Sequence, residues 1–232
     1  MLNINILEKK FGKTIILKDI NIFIEEGELI SIIGPSGCGK TTILNIVSGL
    51  DTNYIGSLSG DFSKLSFMFQ DDRLLPWLNI KDNLLLVSKT KDIEEIEELL
   101  SLIGLNHILN EYPNRLSGGM KRRIALIRAF INRPKIIVLD EPFISLDYPT
   151  SMALKKDFLI FCKKFNPTVI LVTHDLSEAV HLSSRIIFLS STYATKILDY
   201  KNDNNQESDI KKIDEKKNII LDLYPKILEG KI

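Results

Sequence analysis

Leu29-Ile30-Ser31-Ile32-Ile33-Gly34-Pro35-Ser36-Gly37-Cys38-Gly39-Lys40-Thr41 joins a short apolar run to a glycine-rich loop, and Ile43, Leu44, Ile46 and Val47 follow at helical spacing. A run of β-branched residues without alternation is the pattern of a strand buried on both faces of a parallel sheet. The loop matches G-x-x-x-x-G-K-[ST] at every position, between a predicted strand and a predicted helix, which is the context that motif requires. Its glycines let the backbone curl so that successive N–H groups face phosphate oxygens, and the helix N-terminus adds partial positive charge. Lys40 reaches β and γ phosphates, Thr41 offers a hydroxyl to Mg²⁺, and Thr42 continues the first turn. Cys38 reads as a small filler. A strand-to-helix turn with no ligand is the alternative.

Two more runs of the same kind, Ile136-Ile137-Val138-Leu139 and Val169-Ile170-Leu171-Val172, also end in polar residues. Ligands of open α/β sheets sit beyond the carboxyl ends of the strands, so these polar ends belong to one edge. The first run delivers Asp140 and Glu141. Adjacent carboxylates cost stability unless they have work to do: Asp140 supporting a magnesium shell, Glu141 polarising a water for in-line attack. Capping the segment before Pro142 is the structural alternative. The second run delivers His174, read as a sensor of the γ phosphate over a packed core histidine. Leu116-Ser117-Gly118-Gly119-Met120 opens a further predicted helix bearing Arg122, Arg123 and Arg128, a second N-terminus suited to an anion.

The remaining chain frames these motifs. Its 232 residues suit one large domain or one domain with an insertion. Thirty basic and thirty acidic residues cancel, so no overall field draws the chain to nucleic acid or anionic membrane. The longest apolar run is five residues, 158–162, too short to span a bilayer. The N-terminus lacks a signal-peptide pattern, and the two cysteines, Cys38 and Cys162, imply a reducing cytosol. Residues 2–28 alternate around a Phe11-Gly12-Lys13 turn, predicting an antiparallel flap. Residues 74–119, rich in Leu, Glu and Lys, read as a helical insertion. Within it a helix starts after Asp92 and closes at Gly104, with Glu94, Glu95, Glu97 and Glu98 on a solvated face. Residues 201–217 read as a polar loop, and 219–227 as a last short helix.

Together these motifs resemble an ATP-binding cassette (ABC) ATPase through about residue 190. The resemblance implies a P-loop α/β core with a mostly parallel sheet, an antiparallel β subdomain and a helical insertion. It makes 1–232 a single domain: residues 1–73 and 120–200 as nucleotide-binding core, 74–119 as helical signature subdomain, 201–232 as tail. It also implies a head-to-tail homodimer in which Ser117, Gly118 and Gly119 of one subunit cover the ATP held by Gly34, Pro35, Ser36, Gly37, Cys38, Gly39, Lys40, Thr41 and Thr42 of the other. Phe11 would stack on adenine, Gln70 would join Thr41 and Asp140 at Mg²⁺ and link to the insertion, and Asp147 in Ser145-Leu146-Asp147 would serve the dimer contact loop.

The segment Phe69-Gln70-Asp71-Asp72-Arg73-Leu74-Leu75-Pro76-Trp77-Leu78 narrows the likeness to importers of the nitrate, sulfonate and taurine group. In that reading Trp77 anchors a surface for a separate transmembrane permease, itself fed by a solute-binding protein, and the chain is cytoplasmic and peripheral to the membrane. Met120 replaces the usual Gln, a change this group tolerates, and Ile144-Ser145 stands where Gly-Ala is usual. The rival is a soluble cassette ATPase acting on nucleic acid or protein complexes, which would carry a long insertion or a second cassette that this chain lacks.

Overall fold

The computed structural model describes residues 1–203 and 209–232. The chain folds as two compact units.

The first unit comprises Met1–Ser63, Val138–Glu141 and Thr168–Ile232. Strands β1 (Leu2–Phe11) and β2 (Thr14–Ile24) form the expected antiparallel hairpin around Gly12 and Lys13. β3 (Leu29–Ile33) leads through the glycine loop into helix α1 (Lys40–Val47), which buries Ile43, Leu44, Ile46 and Val47. β4 (Ile55–Ser59) pairs with the free edge of β1, giving the order β2-β1-β4. Nothing in the sequence reading anticipated β4: Ile-Gly-Ser-Leu-Ser has little apolar content, and its pairing partner β1 is distant in sequence. Gly56, at φ 148°, is required there because a Cβ would stand 2.1 Å from the Asn5 carbonyl oxygen.

β7 (Thr168–Thr173), β8 (Arg185–Leu189) and β9 (Lys196–Lys201) complete the unit's larger sheet. β3 lies between β7 and β8, parallel to both, with Ile33 opposite Thr173 and Phe188; β9 closes the edge antiparallel to β8. Every residue of β3 and β7 is buried, as their unbroken apolar runs predict. The end of β6 (Ile136–Asp140) joins on the β7 side, where the Glu141 N–H donates to the Val172 carbonyl at 3.0 Å.

Helices α6 (Leu176–Leu182) and α7 (Ile210–Leu223) cover this sheet through Ile33, Leu176, Val180, Phe188, Ile213 and Ile220. The tail expectation needs correction here. Residues 204–208 of the predicted loop lie outside the described residues, but from Ile210 the chain is helical, capped by Asp209, and a 3₁₀ turn follows at Ile227–Glu229. Ile213 and Ile220, seven residues apart, put their side chains on one helical stripe that burial rewards, while Asp214, Glu215 and Asn218 between them face solvent.

The second unit, Lys64–Ile137 with Pro142–Pro167, holds β5 (Leu65–Met68), α2 (Ile80–Val87), α3 (Ile93–Leu102), α4 (Gly118–Phe130), the start of β6, and α5 (Tyr148–Phe165). α3 follows its sequence reading: Asp92 caps the amide of Glu94, Gly104 adopts φ 70° after its end, and Ile96, Leu99 and Leu100 are buried while three of its four glutamates are exposed. α4 and α5 meet over stacked rings, with Phe130 5.0 Å from Phe161. Fully burying one such ring contributes about 3 kcal/mol. Asp157 on α5 is buried against Arg123 of α4 at 2.5 Å, and that burial pushes its carboxyl up despite the guanidinium.

Candidate nucleotide site and family membership

The larger sheet of the first unit brings three strand ends together. Gly34 follows β3, Asp140 and Glu141 end β6, and His174 follows β7, directly after the residue paired with Ile33. Gly39 caps α1 at φ 115° without a side-chain acceptor, and a Cβ there would lie 2.7 Å from Leu17 Cδ2. Only glycine brings the loop so close to β2. The first intrahelical bond runs from the Ile43 N–H to the Gly39 carbonyl, 3.1 Å, which leaves the amides of Lys40, Thr41 and Thr42 as the helix's orphan donors. No acidic residue occupies the first turn to offset the helix dipole.

Lys40 is only 5% exposed, and its ammonium donates to the carbonyls of Gly34 (2.7 Å) and Pro35 (2.9 Å). Thr41 Oγ1 donates to Asp140 Oδ1 at 3.3 Å. Glu141 Oε2 lies 3.3 Å from His174 Nδ1, the two side chains being 19% and 54% exposed. Glu141 also holds φ 43°, a left-handed backbone uncommon for a residue with a side chain and characteristic of strained functional positions. Thr173 and Asp175 secure the histidine's backbone: Thr173 Oγ1 donates to Glu178 at 2.6 Å and accepts from the Asp175 N–H, while Asp175 caps α6. Cys38 is a buried filler whose thiol is pushed up by desolvation, with Lys40 pulling the other way.

Lys40, Thr41 and Glu141 border a cleft of about 360 Å³ lined by Phe11, Ile16, Ser36, Gly37, Gly39, Lys40, Thr41, Thr42 and Glu141. Ile16 escaped the sequence reading. It is the extra residue where Lys9 pairs with Leu17 and Lys10 with Ile15, a β-bulge that redirects a side chain. Three successive apolar residues, Ile15-Ile16-Leu17, in an otherwise alternating strand were its signal.

The donors suit magnesium. Thr41 and Asp140 present two hard oxygens, and among the described residues no group of three His, Cys, Asp or Glu gathers as a full protein cage would. Mg²⁺ takes one or two protein oxygens and completes its octahedron from phosphates and water.

The remaining sequence-selected residues belong to the second unit. Gln70 is exposed just after β5. Ser117 is exposed and caps α4, its hydroxyl accepting from the Met120 N–H at 3.2 Å. Gly118 faces open space, whereas a Cβ on Gly119 would come within 2.3 Å of Thr150 Cγ2 on α5. Asp147 is exposed and caps α5 through the Thr150 N–H; the Thr150 side chain, more than that amide, lowers its carboxyl. Ser145 before it adopts φ 61°. Trp77 is 69% exposed, so it is not an ordinary packed aromatic. Arg122, buried on α4, donates from Nε to the Pro142 carbonyl (2.7 Å) and from Nη1 to the Phe69 carbonyl (2.8 Å), joining the backbone after Glu141 to that before Gln70. Arg128 similarly donates to the Arg73 carbonyl at 2.7 Å.

Comparison with known proteins agrees with the motif reading. The chain is 39% identical over 204 residues to the aliphatic sulfonates import ATP-binding protein SsuB of Bacillus licheniformis, covering 82% of this chain and 80% of that protein. It is 41% identical over 195 residues to the bicarbonate transport ATP-binding protein CmpC of Synechocystis, covering 78% of this chain and 29% of that longer one. The dimeric post-hydrolysis structure of the ATP-binding cassette MJ0796, bound to ADP and Pi, superposes with a TM-score of 0.72 at 31% identity, covering 87% of this chain and 98% of that one. The family model described as ABC transporter matches residues 17–144, and the chain belongs to that family.

Proposed function

We propose that this chain is the ATP-binding and ATP-hydrolysing subunit of an ABC importer, of the kind that serves nitrate, sulfonate, taurine or related small anions. The observation that carries the reading is the gathering of Lys40, Thr41, Thr42 and Glu141 around one cleft, with Asp140 accepting from Thr41 and His174 beside Glu141. The phosphate loop binds the triphosphate through its amides and Lys40, and Phe11 at the cleft's mouth stacks on adenine. Thr41 and Asp140 would hold Mg²⁺, which when bound neutralises phosphate charge; Gln70 is assigned to the ion by the family pattern alone.

Glu141 accepts the proton of a water as its oxygen bonds to the γ phosphorus and the bond to the β-phosphate oxygen breaks, releasing ADP and phosphate. His174 is held beside Glu141, and its Nδ1 within 3.3 Å restricts the carboxylate's orientation. An imidazole N–H there also supplies a donor toward the γ phosphate. Ser117, Gly118 and Gly119 supply the covering half from a second copy, head to tail, with Asp147 at the dimer contact. ATP then closes the dimer and its hydrolysis reopens it, so that a chemical cycle becomes a mechanical one.

Among the described residues no helix is long and apolar enough to cross a membrane; the likeness to importer ATP-binding proteins supports a separate permease as partner. The exposed Trp77, beside Pro76, is the surface we assign to that permease, on the cytoplasmic face, with a solute-binding protein supplying the cargo. We assign residues 1–232 to one cassette of core, signature subdomain and tail. Phosphate release from ATP by the purified chain, with copurification of a polytopic permease, is the expected result. Hydrolysis by a chain that copurifies only with soluble partners would favour the non-transport alternative.

A further inference from the structure

Lys9 is buried to 2% exposure, unusual for a residue whose charged end ordinarily stays in water. It arrives there through a change of strand register. Along β1 the buried positions run Leu2, Ile4, Ile6; pairing with β4 then skips Leu7, since Ile6 faces Gly56 and Glu8 faces Ile55. This extra residue inverts the alternation and turns Lys9 inward in place of Glu8. Its ammonium donates to Asp51 Oδ1 at 2.7 Å and to the Asn53 carbonyl at 2.7 Å, in the loop that leaves α1, and lies 4.6 Å from the centroid of the Phe11 ring. Asp51 is itself held, accepting from the Asn53 N–H at 3.0 Å.

The ring needs such support, because Phe11 ends β1 beside the hairpin turn and is 57% exposed. Phe11 borders the cleft, whereas Lys9 is buried and is not among the residues that line it. We propose that Lys9, locked by Asp51 and Asn53, is a positioning residue for the nucleobase: its cation–π contact fixes Phe11 as a platform on which a purine stacks. The inference rests on the assignment of Phe11 to adenine. It adds the residue that makes a phenylalanine, which has no hydroxyl to tether its ring, serve as a rigid face.

The test is a double-mutant cycle read by equilibrium titration of ATP and of inorganic tripolyphosphate, which shares the phosphates and lacks the base. Lys9→Met keeps the stem and removes the charge. Expected is five- to tenfold weaker ATP binding with tripolyphosphate affinity unchanged, no further loss when Lys9→Met is added to Phe11→Leu, and recovery in Lys9→Arg. Equal weakening of both ligands, or additive losses in the double variant, would overturn the positioning role. Should Lys9→Met not fold, Asp51→Ala removes the side-chain acceptor and counter-charge that hold the ammonium, and the same selective loss of ATP is expected; unchanged ATP affinity in it overturns the proposal. Wild-type protein that binds tripolyphosphate but shows no preference for ATP would instead refute the adenine assignment to Phe11.

Discussion

α1 and α4 both begin in glycine-rich sequence, yet their first turns are finished differently. At α1 the cap is Gly39, which has no side chain to satisfy an amide, and Lys40, Thr41, Asp140, Glu141 and His174 gather around the open donors. At α4 the cap is Ser117, whose hydroxyl already engages the Met120 N–H, and its flanking Gly118 faces open space. An anion site is therefore more than a helix terminus with glycines. The first has an ammonium, two hard oxygens and a carboxylate beside a histidine; the second offers amides and a hydroxyl only.

The largest effect should separate chemistry from binding at the complete site. Glu141→Gln is expected to retain ATP but lower kcat at least ~1000-fold, a barrier rise of about 4 kcal/mol, measured by phosphate release. Near-normal turnover would remove Glu141 as the base and leave α1 a binding site alone. Next, Lys40→Ala removes the buried ammonium, and ATP affinity should fall roughly 100-fold, about 3 kcal/mol, by calorimetric titration. Unchanged affinity would erase the distinction between the two termini.

Ser117→Ala probes the other side. Loss of the cap should cost about 1 kcal/mol of stability in denaturant titration. ATP affinity of the isolated subunit should stay the same while dimer-dependent hydrolysis drops; a matching loss of monomer affinity would mean that α4 belongs to its own chain's site. The smallest effect concerns the loop that follows α1. The hydrogen bond from Lys9 holds the Asp51 carboxyl below its usual range, a lowered folded-state value. Its stabilisation is thus present above the unfolded value of about 3.9 and lost as pH falls below it through the folded value. Thermal melts between pH 6 and 2 should show an acid decline that is shallower in Asp51→Asn; identical slopes would remove Asp51 from it.

Much of the complete site was legible because its chemistry is local. Residues 34–41 carry strand end, loop and helix start in one unbroken motif, and Asp140 and Glu141 directly follow the buried run that presents them. The helix at Asp92 was equally readable, its cap and periodicity lying within a dozen residues. β4 was not, because Ile55-Gly56-Ser57-Leu58-Ser59 becomes a strand only through pairing with β1. α7 was legible only at its end, where 219–227 reads as a short helix; its start read as loop because its two buried isoleucines are sparse among polar neighbours, and only the sheet beneath makes that stripe worth folding. Arg122 was noticed as a helix charge, but its two carbonyl partners lie 53 and 20 residues away.

Residue order alone thus determined the α/β class, the phosphate loop and the carboxylates that follow a buried strand, since apolar periodicity and glycine placement act over one or two turns of chain. Tertiary structure decided which way borderline residues face: the bulges that turn Lys9 inward and set Ile16 in the cleft, the 3.3 Å approach of Glu141 to His174, and the gap at Gly119 filled by Thr150. Those outcomes depend on register and on packing between segments far apart in the chain, where a shift of one residue exchanges the two faces of a strand.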